Sequence, residues 1–188
     1  MSVLREPQLE GALARAGGVP PPVVWIASDE PLLLLEAADR VRASARGAGF
    51  DERRVFHVDR TFRVDALAAE AGALSLFSSR RLLELRFAGK PGRELGEALA
   101  AAVGALSDDV RLLVTSPRLD KATAESAWFG GVVRDGWYLA IPVVERDRLP
   151  AWIGERLGRD GRRADRATLQ LIAERVEGNL LAARQEVD

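Results

Sequence analysis

The chain reads Val-Val-Trp-Ile-Ala-Ser-Asp-Glu-Pro over residues 23–31, which joins an apolar run to a helix start. Val23–Ala27 is short and continuously apolar, as is typical of a parallel strand covered on both faces. The next four residues supply capping oxygens for free helix amides and a proline that suits the first helical turn. They are Ser28, Asp29, Glu30 and Pro31. Because residues 32–46 continue with a strong helical pattern, the sequence predicts a strand, a turn and a helix.

The predicted turn lacks the chemistry of a nucleotide site. A phosphate-binding loop places several glycines, a lysine and a Ser or Thr between strand and helix, so that backbone amides and an ammonium hold the phosphates. Here the turn carries the carboxylates of Asp29 and Glu30 instead, which repel phosphate. We therefore expect the architecture of an NTPase with a degenerate nucleotide-site turn that binds no ATP.

Composition excludes several classes of function. The 188 residues are 47% hydrophobic and 29% charged, with a formal net charge of -1, so there is no overall attraction to nucleic acid or to an anionic membrane. No apolar run approaches a membrane span, and the first residues lack the features of a signal peptide. The chain has no cysteine and one histidine, His57, so we expect no metal site, no cofactor and a cytoplasmic location.

Apolar strands alternate with helical patterns through the first three quarters of the chain. This alternation predicts right-handed crossovers and a mostly parallel, five-stranded sheet with helices on both faces. The expected strands are Val23–Ala27, Arg54–Val58, Arg81–Phe87, Val110–Thr115 and Trp137–Pro142. The expected helices are 32–46, Val64–Ala73, Glu94–Leu106 and Lys121–Arg134, preceded by a short one at Leu9–Ala16.

The pattern changes after Pro142, where no further strand is predicted. Three helices are expected instead, the second of them capped by Asp165 and separated from the third by Gly178-Asn179. The sequence therefore predicts an α/β domain over residues 1–143 and a small all-α lid over residues 144–188. The last helix reaches the final residue with no stop signal, so we expect the natural protein to continue.

An α/β domain followed by a helical lid resembles the AAA+ module, and short motifs narrow the resemblance to one family. Ser28-Asp29-Glu30-Pro31-Leu32-Leu33 is similar to the G-D-E-P-L-L turn of the delta subunit of bacterial DNA polymerase III, although Ala27 stands where that family usually has glycine. Further similar stretches follow in the family's order. They are Ser75–Phe77, Arg118–Lys121, Ala127–Phe129, Leu149–Ile153 and Glu177–Leu181.

The segment Ala73–Ser79 holds Leu74, Leu76 and Phe77 between a predicted helix and a predicted strand. Loops are usually polar and exposed. From the residues alone, the favoured interpretation is that Leu76 and Phe77 fold back into the core at the end of the helix. The resemblance implies instead that they are an apolar plug for a pocket on the sliding clamp, to which Leu74 adds.

The resemblance also implies partners and a mechanism without catalysis. The partners are the sliding clamp (beta subunit), the other clamp-loader subunits (gamma/tau and delta prime) and, indirectly within the complex, primed DNA. The family contacts the other subunits through a C-terminal collar domain, which is absent from these 188 residues. We expect the chain to help open the ring while the other subunits use ATP, so it belongs to a polymerase holoenzyme without catalysing a reaction.

Two other functional classes, an enzyme and a DNA-binding protein, are disfavoured by the sequence. A divergent Rossmann-like or NTPase-type enzyme would use Asp59 or Lys121, but the required glycines are missing. A DNA-binding relative from replication initiation is disfavoured by the neutral charge and by the lack of a recognition helix. Four lid arginines interleave with Asp160 and Asp165, and we interpret them as a solvated, internally paired surface. They are Arg159, Arg162, Arg163 and Arg166.

Overall fold

A computed structural model describes residues 2–59, 61–72 and 80–187 of the chain. The chain divides into two compact units, Met1–Ile141 and Pro142–Asp188. The first unit is an α/β layer structure and the second is all-helical.

Six parallel strands form the sheet of the first unit. In chain order they are β1 (Ser2–Leu4), β2 (Val23–Ser28), β3 (Glu52–Val58), β4 (Arg81–Phe87), β5 (Val110–Ser116) and β6 (Trp137–Ile141). Their spatial order is β1-β6-β2-β5-β4-β3, so β2 lies between two strands from the second half of the unit. Trp25 pairs with Val114 on one side and Tyr138 on the other. Every residue of β2 is buried, which explains its continuously apolar sequence.

The parallel α/β fold is confirmed, but the prediction of five strands was one too few. The additional strand, β1, pairs with β6 over only three residues at the edge of the sheet. Three residues are too short to show an alternating or continuous apolar pattern against the surrounding chain. The exposed Val3 indicates how little of this strand is buried.

Helices cover both faces of the sheet. The helices of the first unit are α1 (Leu9–Arg15), α2 (Pro31–Gly47), α3 (Val64–Gly72), α4 (Arg93–Gly104), α5 (Lys121–Ala124) and α6 (Ala127–Val132). On one face, α3, α4 and α6 bury Leu67, Leu99 and Phe129 in a single apolar cluster with alternate residues of the central strands. On the other face α2 packs over β2 and β5 and contacts α1.

The expected helix Lys121–Arg134 is two helices, so that prediction was wrong at its centre. Asp120 caps the first, accepting from the Thr123 amide at 2.9 Å. Ser126 then begins a second helix, because its hydroxyl accepts from the Phe129 amide at 3.3 Å. The break aims Trp128 at α4, where Gly96 leaves room for the indole ring.

The second unit contains α7 (Leu149–Arg159), α8 (Arg166–Arg175) and α9 (Leu180–Val187), in agreement with the three predicted helices. Asp165 caps α8 as expected, since its carboxylate accepts from the Thr168 amide at 2.7 Å. Glu177 and Gly178 both have positive φ and turn the chain between α8 and α9. Buried residues from all three helices form the core of this unit. They are Leu149, Ile153, Leu157, Ala173, Val176, Leu180, Ala183 and Val187.

Candidate functional site

The turn between β2 and α2 is closed by its own side chains. The Ser28 hydroxyl accepts a hydrogen bond from the Glu30 amide at 3.0 Å. Glu30 is the N-cap of α2, and its carboxylate accepts from the Leu32 amide at 3.2 Å. Pro31, the first residue of the helix, has no amide hydrogen to offer. Of the donors that could hold a phosphate at this helix start, the Glu30 and Leu32 amides are therefore engaged and that of Pro31 is missing.

Asp29 links this turn to the neighbouring strand. Its carboxylate accepts from the backbone amide of Arg118, just after β5, at 2.9 Å. The carboxyl ends of β2 and β5 are the edge at which open α/β sheets bind their ligands. At this edge the chain places two carboxylates bonded to its own backbone, which disfavours an anionic ligand.

Asp59 and Lys121 make only local contacts. The Asp59 carboxylate accepts from the amide of Thr61 at 2.8 Å and from its hydroxyl at 2.6 Å. These two hydrogen bonds lower the pKa of Asp59 and define an Asx turn. Lys121 lies 3.9 Å from Glu125 one helical turn later, and its side chain is exposed. Within the described part of the chain, neither residue bonds to a partner that would suit it to nucleotide chemistry.

The four lid arginines lie on the surface of the second unit. Each is exposed, and Arg162 donates to Asp160 at 3.0 Å. The pKa of Asp165 is lowered by the Thr168 amide that it caps. The expected local pairing is therefore seen for Asp160, whereas within the described residues Asp165 bonds to a backbone amide and not to an arginine.

The residues expected to contact the clamp, Leu74, Leu76 and Phe77, lie outside the described residues. The structure describes the chain before them up to Gly72, where α3 ends, and the chain after them from residue 80, just before β4 begins at Arg81. The Arg81 amide donates to the Asp109 carbonyl at 2.8 Å, which fixes the amino end of β4. Because the paired strands are parallel, the amino end of β4 lies at the opposite end of the strands from the Ser28–Pro31 turn, which follows the carboxyl end of β2.

Sequence reasoning missed a buried ionic cluster on β4. The Glu84 carboxylate has no exposed surface and accepts from Arg42 at 2.6 and 3.1 Å, from Arg53 at 2.6 and 2.8 Å, and from Arg86 at 2.8 Å. Burial alone would raise the pKa of Glu84, but these guanidinium groups outweigh it and lower the pKa to about 2. The available signal was a glutamate inside the apolar run Leu82–Leu85. The cluster joins α2, β3 and β4.

Metal-binding clusters and membrane-spanning helices are both missing from the described ranges. No group of three or more acidic or histidine side chains within them is arranged to hold a metal ion. Over the same part of the chain, no helix combines the length and the apolar character that crossing a bilayer requires.

The parallel sheet, its helices and the small all-helical unit define a class, the AAA+-like module. The family model of the DNA polymerase III delta subunit matches residues 26–132, more than half of the chain. The chain therefore belongs to the family of DNA polymerase III delta subunits.

Individual relatives agree with this membership. DNA polymerase III subunit delta of Escherichia coli is 34% identical over 161 residues, which are 85% of this chain and 47% of that protein. The Haemophilus influenzae protein of the same name is 28% identical over 171 residues, 87% of this chain and 48% of that protein. The chain thus spans about half the length of the relatives that it matches.

Solved structures agree at the level of the fold. The Bacillus subtilis DNA clamp loader delta protein superposes with a TM-score of 0.69 at 14% identity, covering 97% of this chain and 56% of that one. A variant of Thermotoga maritima RuvB gives a TM-score of 0.54 at 16% identity, covering 93% of this chain and 55% of that one. At such identities the likeness concerns the fold alone.

Proposed function

We propose that this protein acts in a clamp loader, where it binds the sliding clamp and helps to open the ring for loading onto primed DNA. The observation that carries the proposal is the match of residues 26–132 to the delta-subunit family. The similar fold of a protein described as a DNA clamp loader delta protein supports it. In this role the chain works in the cytoplasm, at the nucleoid, beside the gamma/tau and delta prime subunits.

The contact with the clamp is assigned to Leu74, Leu76 and Phe77. They resemble the family's clamp-binding tip, and they occur where the chain passes from α3 to β4. Burying one leucine or one phenylalanine side chain contributes about 1.5–3 kcal/mol. Two such anchors suffice for the centre of an interface, where a few residues supply most of the binding energy.

The protein contributes binding and no chemistry. The Leu32 amide of α2 is engaged by the side chain of Glu30, Pro31 has no amide hydrogen, and the turn carries two carboxylates. ATP is therefore bound and hydrolysed by other subunits of the loader. The rival interpretation, an NTPase-type or Rossmann-like enzyme, has no observation in its favour, since Asp59 and Lys121 bond to their own local chain.

The decisive experiment is the double substitution Leu76→Ala and Phe77→Ala, measured against the sliding clamp of the same organism by surface plasmon resonance. We expect a loss of about 2–4 kcal/mol of binding energy. This corresponds to a roughly thirtyfold to thousandfold weaker Kd. The melting temperature should stay close to that of the natural protein.

The matched control replaces two leucines that are exposed elsewhere in the chain, Leu171→Ala and Leu181→Ala, whose exposed fractions are 58% and 53%. This control should bind the clamp normally. If Leu76 and Phe77 belong to the core instead, the first variant melts early, because truncating a buried Leu or Phe costs about 2–5 kcal/mol. A variant that melts early and still binds the clamp through its folded fraction contradicts the assignment.

A further inference from the structure

Three segments of the chain meet around Phe50 at the amino end of the sheet. Helix α2 is followed by Gly49 at a φ of 85°, and the Phe50 amide donates to the Ala45 carbonyl at 3.0 Å. This Schellman-type ending turns Phe50 inward, where it is 3% exposed. The ring thus lies beside Arg80, directly before β4, and beside Arg111 of β5.

Two guanidinium groups lie over this ring. The Arg111 guanidinium carbon is 4.8 Å from the ring centroid, and that of Arg80 is 5.5 Å from it. Arg111 also donates to the carbonyls of Pro20 at 2.8 Å and Asp108 at 2.7 Å. We call the set Phe50, Arg80 and Arg111 the Phe50 platform.

Arg80 links the platform to the loop before β5 and to the end of α2. Its guanidinium donates to the Ala48 carbonyl at 3.0 Å and lies 3.7 Å from the Asp109 carboxylate. The next residue, Arg81, donates its amide to the Asp109 carbonyl. Backbone and side chain together therefore fix the position and direction of the chain at residue 80, directly after the segment 73–79.

We propose that Arg80, held on the Phe50 platform, is a positioning residue for binding of the sliding clamp. This inference rests on the proposed function, which assigns the clamp contact to Leu76 and Phe77 three or four residues earlier. Arg80 acts through the chain that it holds and needs no contact of its own with the clamp.

The expected effect follows from population arithmetic. When only a fraction of molecules presents a segment in the binding geometry, the apparent Kd rises by the reciprocal of that fraction. Releasing Arg80 from its contacts with the Phe50 ring, the Ala48 carbonyl and Asp109 removes the side-chain part of this anchor, so the chain at residue 80 can enter β4 from other directions. If about one molecule in ten keeps the original direction, the apparent Kd rises about tenfold.

The test compares Arg80→Ala, Arg80→Lys and the natural chain by clamp affinity, melting temperature and hydrogen exchange of the Arg81 amide. We expect Arg80→Ala to bind about five- to twentyfold more weakly. Its melting temperature should be nearly unchanged, since the side chain is half exposed, and exchange at Arg81 should be faster. Lysine keeps a cation near the ring and near Asp109, so Arg80→Lys should recover at least part of the loss. Arg93→Ala, which removes an exposed arginine paired with Glu97, is the control and should bind normally.

The outcomes distinguish a failure of the positioning role of Arg80 from a failure of the proposed function. Normal clamp binding by Arg80→Ala overturns the positioning role and leaves the proposed function intact. A loss of affinity matched by a loss of folded protein, with no recovery in Arg80→Lys, also overturns it, because the role is then only structural. If the natural chain does not bind the clamp, the proposed function fails and the positioning role falls with it.

Discussion

Glu84 shows how a single residue is held in an otherwise apolar strand. A buried carboxylate is costly unless it is paired and hydrogen-bonded. Three arginines meet that requirement, of which Arg42 is largely buried, while Arg53 and Arg86 are more than one third exposed. Removing the carboxylate therefore leaves one buried cation without its main partner and two cations that can reach water.

We predict that Glu84→Gln lowers the free energy of unfolding by about 2–4 kcal/mol, since breaking a buried ion pair from one side is strongly destabilising. Urea titration followed by circular dichroism measures the change. The control, Glu97→Gln, removes an exposed carboxylate paired with Arg93 and should cost less than about 1 kcal/mol. Equal effects of the two variants would show that the Glu84 cluster adds nothing beyond a surface ion pair.

The same residue predicts a pH dependence. The pKa of Glu84 is lowered from its ordinary value of 4.5 to about 2. The stabilisation is therefore fully present above pH 4.5 and is lost as the pH falls toward 2. The difference in stability between the natural protein and Glu84→Gln should shrink by about 3 kcal/mol across this window. A difference that stays constant from pH 5 to 2.5 would contradict the lowered pKa.

At the scale of elements, the contact between α4 and α6 depends on the absence of one side chain. A Cβ at Gly96 would overlap the indole ring of Trp128, whereas nothing lies near the Cβ position of Gly104 in the same helix. The two glycines thus differ in their surroundings while sharing one helix. Their substitutions separate packing from helix propensity.

We expect Gly96→Ala to destabilise the protein by about 1–3 kcal/mol, because overpacking outweighs the gain in helix propensity. Gly104→Ala should be neutral or stabilising by up to about 1 kcal/mol. Thermal unfolding measures both. A Gly96→Ala protein as stable as the natural one would mean that Trp128 can move aside at no cost.

The elements also show what the sequence can reveal. Strand β4 was predicted with its exact ends, because apolar runs and turn residues bound it clearly. The division between α5 and α6 was missed, since the Ser126 cap is visible only once the Phe129 amide is known to face it. The Glu84 cluster was missed because its arginines come from α2 and β3, distant in sequence. Periodicity reports local burial and cannot report which distant side chains meet.

At the scale of the whole molecule, the expectation that the protein binds no ATP can be tested. We predict that calorimetric titration with ATP and magnesium gives no binding signal. The Leu32 amide is already bonded to the side chain of the N-cap residue Glu30, and the turn after β2 presents carboxylates to an anionic ligand. Unchanged melting in millimolar ATP is the second expected result. Saturable binding tighter than about 100 μM, worth more than roughly 5 kcal/mol, would overturn this conclusion.

The strand order has a consequence for how the protein is made. Strand β2 emerges early from the ribosome, yet its neighbours are β5 and β6, which end at Ser116 and Ile141. The most buried strand of the sheet therefore waits for most of the first unit to be synthesised before it gains a partner. Meanwhile β3 and β4 are already adjacent in the nascent chain and can pair first. An unpaired apolar strand favours aggregation, so we expect chaperones at the ribosome to engage this nascent chain between the synthesis of β2 and that of β5.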